Sequence, residues 1–417
     1  MMLKWSIMGV AAGLAVTLTS APVQAQSSLT NWNTLLEGLR AEGEKADAQL
    51  PPDLTPQEQA EVAVMKLGAL TAGYLNIVHG DPDHPMFRPS LSLYGNYLAP
   101  NADTHYYQAR VDGSGVYRLR GEAGNIPIVN ITPRRAYSEG ATYDAKGFAD
   151  LDIVKLRKGP NGAVDVILSA KRPDGYAGDW LYLDPRADVL AMRLVSDDWG
   201  RQKDPRLSIE RLDKPSRGAR PTEAEINRNL AMLPGLVNTW TSSYAQYATK
   251  LASDAGGVNK IKEDKRTNIG LLAGQRYFEM AWDFAPDEAL ILEATVPKCR
   301  YWSVLLADRL YATLDWVSNQ SSLNRNQARI DADGKVRMVI AHSDPGVPNW
   351  LDTVDHPKGA MQWRWMDCDG PTSPTVTRVK LSELRRHLPV DTPTVTAEQR
   401  DQALRERRMA AQLRREW

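Results

Sequence analysis

The spacing of hydrophobic and polar positions changes several times along this chain, and each change marks a structural element. Between residues 61 and 77 the apolar side chains Val62, Val64, Met65, Leu67, Leu70, Tyr74 and Leu75 recur three and four positions apart, which predicts a helix with one apolar stripe. Thr55 can cap it, Pro56 suits its first turn and Glu58 completes a capping box. A less clearly signalled helix precedes it, and the loop His79-Gly-Asp-Pro-Asp-His-Pro85 stops it. From about residue 104 the period falls to two. Residues 105–111 and 116–120, joined by Asp112-Gly-Ser-Gly115, read as a β-hairpin, and 126–131, 164–168, 180–183 and 189–195 read as further short strands.

After the basic connector Lys214-Pro-Ser-Arg-Gly-Ala-Arg-Pro221, Thr222 and Glu225 open another helix that runs to about Ser253. A second β region covers 275–380, with strands at 290–296, 301–306 and 361–365 and a hairpin over 328–341 turning at Asp331-Ala-Asp-Gly334. Short strands separated by Gly, Pro and Asp predict sandwiches and not alternating β-α units. The expected fold is therefore β-rich α+β, with two β-sandwich or jelly-roll-like units joined by helical segments. The boundaries read as a signal peptide at 1–25, an N-terminal helical region at 26–90, a first β unit at 91–213, a connector and helical segment at 214–270, a second β unit at 271–385 and a C-terminal charged helix at 386–417. The two Asp/Gly-turned hairpins raise the prospect that the β units are related. In the tail, Glu398, Asp401, Glu406 and Glu416 dilute the arginines and the apolar face is mostly Ala, so a solvated helix is expected over a membrane-surface or partner-binding one.

The N-terminus adds an address. Lys4, the apolar stretch from Ile7 to Leu18 and the small-x-small site Val23-Gln24-Ala25 predict a signal peptide cleaved before Gln26, hence a periplasmic or secreted protein. No other uninterrupted apolar run reaches the length of a membrane span, so none is expected after cleavage. In an oxidising compartment Cys299 and Cys368, on two candidate strands, could pair, although sequence spacing alone does not bring their Cα atoms within reach. The 417 residues carry 51 Lys and Arg against 51 Asp and Glu, a balance that argues against nucleic acid as a partner. Two cysteines exclude a disulfide-dense scaffold and a four-thiolate metal site. His79, Asp81, Asp83 and His84 lie close together, but no metal-ligand spacing, nucleophile elbow, P-loop or dinucleotide fingerprint occurs, so neither a metal nor another cofactor is expected.

Three polar segments could carry chemistry. In the first, Asn101, Asp103 and His105 alternate and share one face if the strand starts early, with Tyr106 beside them. The second runs from Arg300 and Trp302 to Trp316, Asn319 and Gln320, an aromatic wall with amide donors. The third holds His342, Asp344, Asn349 and Trp350 in a Pro/Gly-stiffened loop. Each also has a plain structural reading, as an Asx turn, core tryptophans or a structured loop. If the three meet, His105 and His342 would move protons, Asp103 and Asp344 would orient them or act as bases, Arg300 would neutralise developing negative charge, and the amides and rings would hold substrate. The expected function is an exported hydrolase or lyase acting on a bulky, largely uncharged organic molecule (carbohydrate-like, aromatic or polycyclic). The alternative is a non-catalytic periplasmic small-molecule binding protein; the sequence leaves the oligomeric state open.

The strings Asn101-Ala-Asp-Thr-His-Tyr-Tyr107, Tyr117-Arg-Leu-Arg-Gly121 and Gly178-Asp-Trp-Leu-Tyr-Leu183 with Arg193 precede Tyr301-Trp-Ser-Val304, Trp316, Asn319-Gln-Ser-Ser322 and the loop from His342 to Asp352. In that order, over roughly 60–370, the chain resembles the bacterial domain-of-unknown-function family 1214. The resemblance implies a β-rich fold with helical connections. It implies no reaction and supplies no catalytic residues.

Overall fold

Alternating apolar residues build two β-sandwiches, and helices fill the space beside them. The computed structural model describes residues 26–137, 144–264, 274–370 and 373–414. The expected signal peptide at 1–25 lies outside the described residues. Helices α1 (Gln26–Asp47), α2 (Pro56–Gly73) and α3 (Glu223–Asp254) pack together around Leu35, Val62, Met65, Ala69, Leu233, Val237 and Trp240. Both expected capping boxes form, at Thr55/Glu58 and Thr222/Glu225. By length and composition alone Pro56–Val78 could cross a membrane, but Val62, Met65, Ala69 and Ala72 on this segment are buried inside the protein.

The first sandwich contains β1 (Arg88–Pro89), β2 (Thr104–Arg110), β3 (Tyr117–Glu122), β4 (Ile128–Arg135), β5 (Asp144–Gly147), β6 (Leu151–Asp152), β7 (Ala163–Ser169), β8 (Asp179–Tyr182), β9 (Val189–Val195) and β10 (Arg206–Arg211). The second contains β11 (Lys262–Asp264), β12 (Gln275–Asp283), β13 (Glu288–Thr295), β14 (Cys299–Asp308), β15 (Ser322–Asn324), β16 (Lys335–Ala341), β17 (Trp350–Asp352), β18 (Lys358–Cys368) and β19 (Thr375–Lys380). Their strand orders coincide. The first pairs a sheet containing β2-β9-β4 with β10-β3-β7-β8, and the second pairs one containing β12-β18-β14 with β19-β13-β16-β17. In each, the last pair, β7 with β8 and β16 with β17, is parallel. The two units are therefore repeats of one topology, which a pair of turns only hinted at.

Those turns do not make the hairpins expected of them. β2 pairs with β1 and β9 while β3 pairs with β10 and β7, so Asp112–Gly115 carries the chain from one sheet to the other. Ala109, Val111, Tyr117 and Leu119 then face one core from opposite sides. A period of two fixes which face is buried but not which sheet a strand joins. The Tyr117 hydroxyl pins the corner, accepting the Asp112 N–H at 2.8 Å and donating to the Pro82 carbonyl at 2.9 Å. In the second unit the Asp331–Gly334 turn closes, but only an Ile330–Val336 bridge precedes it, and the partners of β16 are β13 and β17.

The second core is built on tryptophan. Trp302, Trp363 and Trp365 lie within 5.2–6.2 Å of one another, centroid to centroid, among Phe278, Leu290 and Met338. Cys299 and Cys368 are cross-strand partners on β14 and β18 and form a disulfide, with Cα atoms 4.1 Å apart.

The tail corrects the expectation of a solvated helix. Helix α4 (Ala397–Leu413) lies across both sandwiches as a strap, held by arginines seven residues apart. Arg400 binds Asp344 at 2.9 Å, Gln320 at 3.1 Å and the Val347 carbonyl at 2.6 Å. Arg407 donates to the Trp316 carbonyl and to Ser322 and lies over the Trp199 ring. Arg414, at the helix end, grips Asp204 through two 3.0 Å bonds and the carbonyls of Asp103 and Leu194 at 2.6 Å. Net charge counted along the tail could not reveal that its arginines share a face and meet acceptors.

Candidate functional site

The two sandwiches join at a buried polar centre. The turn Asn101–Thr104, closed by the Thr104 N–H on the Asn101 carbonyl, delivers Asp103 to the junction just before β2. Its carboxylate accepts from the Tyr301 hydroxyl at 2.6 Å, from Asn324 Nδ2 at 2.8 Å and from Trp199 Nε1 at 2.8 Å. Asn101 Nδ2 donates to the Tyr301 hydroxyl at 2.8 Å, and the Tyr106 hydroxyl accepts the Asn101 N–H at 3.0 Å. Burial pushes the Asp103 carboxyl up, against the pull of its three donors. Burial and the neighbouring Asp103 charge push the Tyr301 hydroxyl well above its usual range, so it stays protonated. Ion pairs from Arg300 to Asp152 and from Arg325 to Asp197 flank this centre and tie the same two units.

A small closed chamber of about 20 Å³, room for one water, lies on one side of this network between Asn101, Tyr106, Arg193, Tyr277, Tyr301 and Arg364. Arg364 is almost fully buried there and its Nη1 has no protein partner. On the other side is an open pocket of about 360 Å³ lined by Leu93, Tyr94, His105, Trp199, Trp316 and Ala411. Tyr94 stands at its rim, 82% exposed. The α4 strap forms one wall, so the arginines that hold the strap also shape the pocket.

His105 lines this pocket together with Tyr94 and Arg414. Its Nδ1 lies 3.0 Å from Asp204, the carboxylate that Arg414 also grips. Burial, aided by the Arg414 charge, holds the imidazole below its ordinary 6.5 despite Asp204. Burial raises the Asp204 carboxyl, but His105 and Arg414 outweigh it and keep that group below its usual range. Arg407, behind Trp199, is pushed down to about 10 by burial and remains a cation at neutral pH. The pocket therefore presents aromatic faces and a neutral imidazole, with its nearby charges already paired.

The structure gathers two of the three predicted segments. Asn101, Asp103, His105 and Tyr106 meet the second unit at Tyr301 and Trp316. The third segment does not arrive. Tyr301 and Gln275 both pair with Met366 at one end of their sheet, whereas His342 stacks on Phe284, nine residues further along. That is about 30 Å of strand from Tyr301, and His342 is not among the residues that line the His105 pocket. His342 is held there by Thr353 at 3.0 Å and the Phe284 carbonyl at 3.2 Å.

Other expected site residues have structural roles. Arg300 is occupied by Asp152 and the Pro127 carbonyl, and Trp302 lies in the tryptophan core. Asp344 and Gln320 receive Arg400, and Asn349 bonds the backbone of Arg329 and Arg337. Trp350 donates to the Ala341 carbonyl under Arg400. Asn319 is half-buried away from the pocket lining. These polar side chains find protein partners because loops leaving a sheet must satisfy their own backbone.

The sequence reading missed Trp199, Asn324, Asp204 and Arg364. Trp199 and Asp204 follow a strand in an Asp/Gly-rich turn that reads as a plain loop, and no spacing links Asn324 to Asp103. Among the described residues no group of three or more His, Cys, Asp or Glu could hold a metal ion. Within the loop examined for one, His84 bonds Asp81 and the Pro215 carbonyl, and Asp83 pairs with Arg211.

No curated protein matches the chain. Among solved structures it is similar to an uncharacterized protein from Burkholderia cenocepacia, at 27% identity and TM-score 0.78 over 85% of this chain and 98% of that one. It is also matched by the VPA0106 protein from Vibrio parahaemolyticus, at 13% identity and TM-score 0.41 over 76% of this chain and 98% of that one. Residues 286–367, the heart of the second sandwich, match the family described as "Protein of unknown function (DUF1214)". That match supports the family resemblance read from the sequence.

Proposed function

We propose that this chain is an exported small-molecule binding protein whose ligand, a neutral aromatic, polycyclic or carbohydrate-like compound, enters the pocket between His105, Trp199 and Trp316. The observation that carries the reading is an aromatic hollow of about 360 Å³ with its neighbouring charges internally paired. Such a site favours flat or ring-bearing molecules and offers no counter-ion to a charged one. Export rests on the expected signal sequence and is supported by the Cys299–Cys368 disulfide, a bond that persists mainly in oxidising compartments. Binding is favoured over catalysis because Asp103 is sealed by three donors, His342 does not line the pocket, and Asp204, the partner of His105, is itself held by Arg414.

A second reading, hydrolysis or elimination on the same class of molecule, draws on His105 alone. Its imidazole is kept unprotonated near neutrality beside the pocket, as a general base requires.

Thermal melts with a panel of neutral aromatic compounds and sugars separate these readings. A ligand of the pocket raises the melting temperature of the wild type, is recovered chemically unchanged, and loses its effect in Val317→Trp, which fills the pocket from its wall. Stabilisation undiminished in both Val317→Trp and Trp316→Leu would overturn the assignment. Conversion of a compound that disappears in His105→Gln would move the conclusion to catalysis.

A further inference from the structure

A larger cleft, of about 1270 Å³, lies elsewhere, between the loop after α2, strand β2 and one face of α3. Four arginines line it: Arg88, Arg110, Arg220 and Arg228. None forms an ion pair among the described residues, whereas about half of the described arginines do. The side-chain hydrogen bond of Arg110 runs only from Nε to the Asp188 carbonyl, at 3.2 Å. Arg88 and Arg110 are half-buried, and burial lowers the pKa of both; Asp81 opposes this at Arg88, while at Arg110 Asp188 and Tyr137 oppose it and Arg228 adds to it.

The acids of the cleft are occupied. Asp81 receives the Asp83 and His84 backbone and the His84 ring, Asp83 is paired with Arg211, and Glu225 closes the cap of α3. Asp188, the nearest counter-charge to Arg110, has its carboxylate on the Ala136 and Tyr137 N–H groups, so like charges are gathered on a concave, partly desolvated wall without an ion pair, an arrangement that an incoming anion relieves. The opposite wall is different in kind. Met232, Leu236 and Trp240 follow at helical spacing on the face of α3 that lines the cleft, with Gly235 leaving open space between them.

We propose that this cleft binds an amphiphilic organic anion, with a carboxylate or phosphate head between Arg88, Arg110 and Arg228 and an apolar body against Met232, Leu236 and Trp240. Guanidinium forks suit both head groups, because each offers paired oxygens to parallel N–H donors. This site is separate from the His105 pocket and takes ligands of the opposite charge class.

The test titrates the full chain with octanoate, octyl phosphate and 1-octanol by calorimetry. One or both anions bind, their affinity falls as salt is raised, and the alcohol binds far more weakly; the stronger anion identifies the preferred head group. Arg88→Gln with Arg110→Gln weakens anion binding by about tenfold or more. Gly235→Phe, which fills open space on the apolar wall and keeps every arginine, weakens it independently. The proposal is overturned if octanol binds as well as the anions, or if anion binding survives both sets of substitutions. Val317→Trp, which blocks the other pocket, leaves octanoate and octyl phosphate binding unchanged, so failure of either site is recognised separately.

Discussion

Arg400, Arg407 and Arg414 on the C-terminal strap and Arg88, Arg110 and Arg228 in the cleft are the same residue type in two settings. On the strap each guanidinium meets acceptors supplied by the sandwiches: the carboxylates of Asp344 and Asp204, a hydroxyl, and carbonyls that no strand has used. In the cleft the nearby carboxylates have other partners and the guanidinium groups face open space. A buried arginine with every donor engaged holds two elements in register. One left without an ion pair on a concave wall is poised for a partner from solution. Number and sign of charge do not distinguish the two, but the identity of the facing groups does.

The sharpest way to break this contrast is to remove a strap arginine. Arg414→Ala leaves Asp204 without its fork and removes a donor from the Asp103 and Leu194 carbonyls, and is expected to destabilise the protein by about 3–5 kcal/mol in denaturant melts. A loss below about 1 kcal/mol, the level of an exposed pair, would show that the strap is not anchored in this way.

A smaller effect comes from His105, which shares Asp204 with Arg414. Burial holds its folded pKa below the ordinary 6.5, so the unfolded chain takes up this proton more readily. Its contribution to stability is complete above 6.5 and declines as the pH falls through 6.5 toward the folded value. Melting temperatures measured across that window should fall toward acid in the wild type and flatten in His105→Gln. His84 acts in the opposite sense, since its Asp81 bond raises its pKa, and His84→Gln should therefore steepen the acid decline. An unchanged slope in His105→Gln would remove the buried imidazole from the account.

The smallest effect is expected in the cleft itself. Arg88→Ala and Arg228→Ala sever no ion pair, and stability should stay within about 0.5 kcal/mol of wild type or rise slightly as like charges separate. A loss comparable to that of Arg414→Ala would assign these arginines a structural role and erase the distinction.

The candidate site was half legible for a definable reason. Asn101, Asp103 and His105 were found because they alternate on one short strand entrance, a relation that lies within a few residues. Trp316 was found because an aromatic among amides and hydroxyls is unusual locally. His342, Asp344, Asn349 and Trp350 carried the same local signature and proved to be loop and strap anchors, since a polar side chain looks alike whether it will meet a ligand or a backbone carbonyl. The strap shows the same blindness: a seven-residue arginine repeat is visible in the chain, but its acceptors come from residues 103, 194, 204, 320 and 344.

By itself the sequence determined the β-rich α+β class, the capped helices and which face of each strand is buried. Those features rest on local periodicity and on caps closed within three or four residues. Only the tertiary structure decided that the Asp112–Gly115 turn crosses between sheets, that the two sandwiches repeat one topology, and that His342 stays out of the His105 pocket. It alone decided which arginines find carboxylates. Pairing of this kind joins residues hundreds of positions apart, and short-range pattern carries no information about contacts closed at that separation.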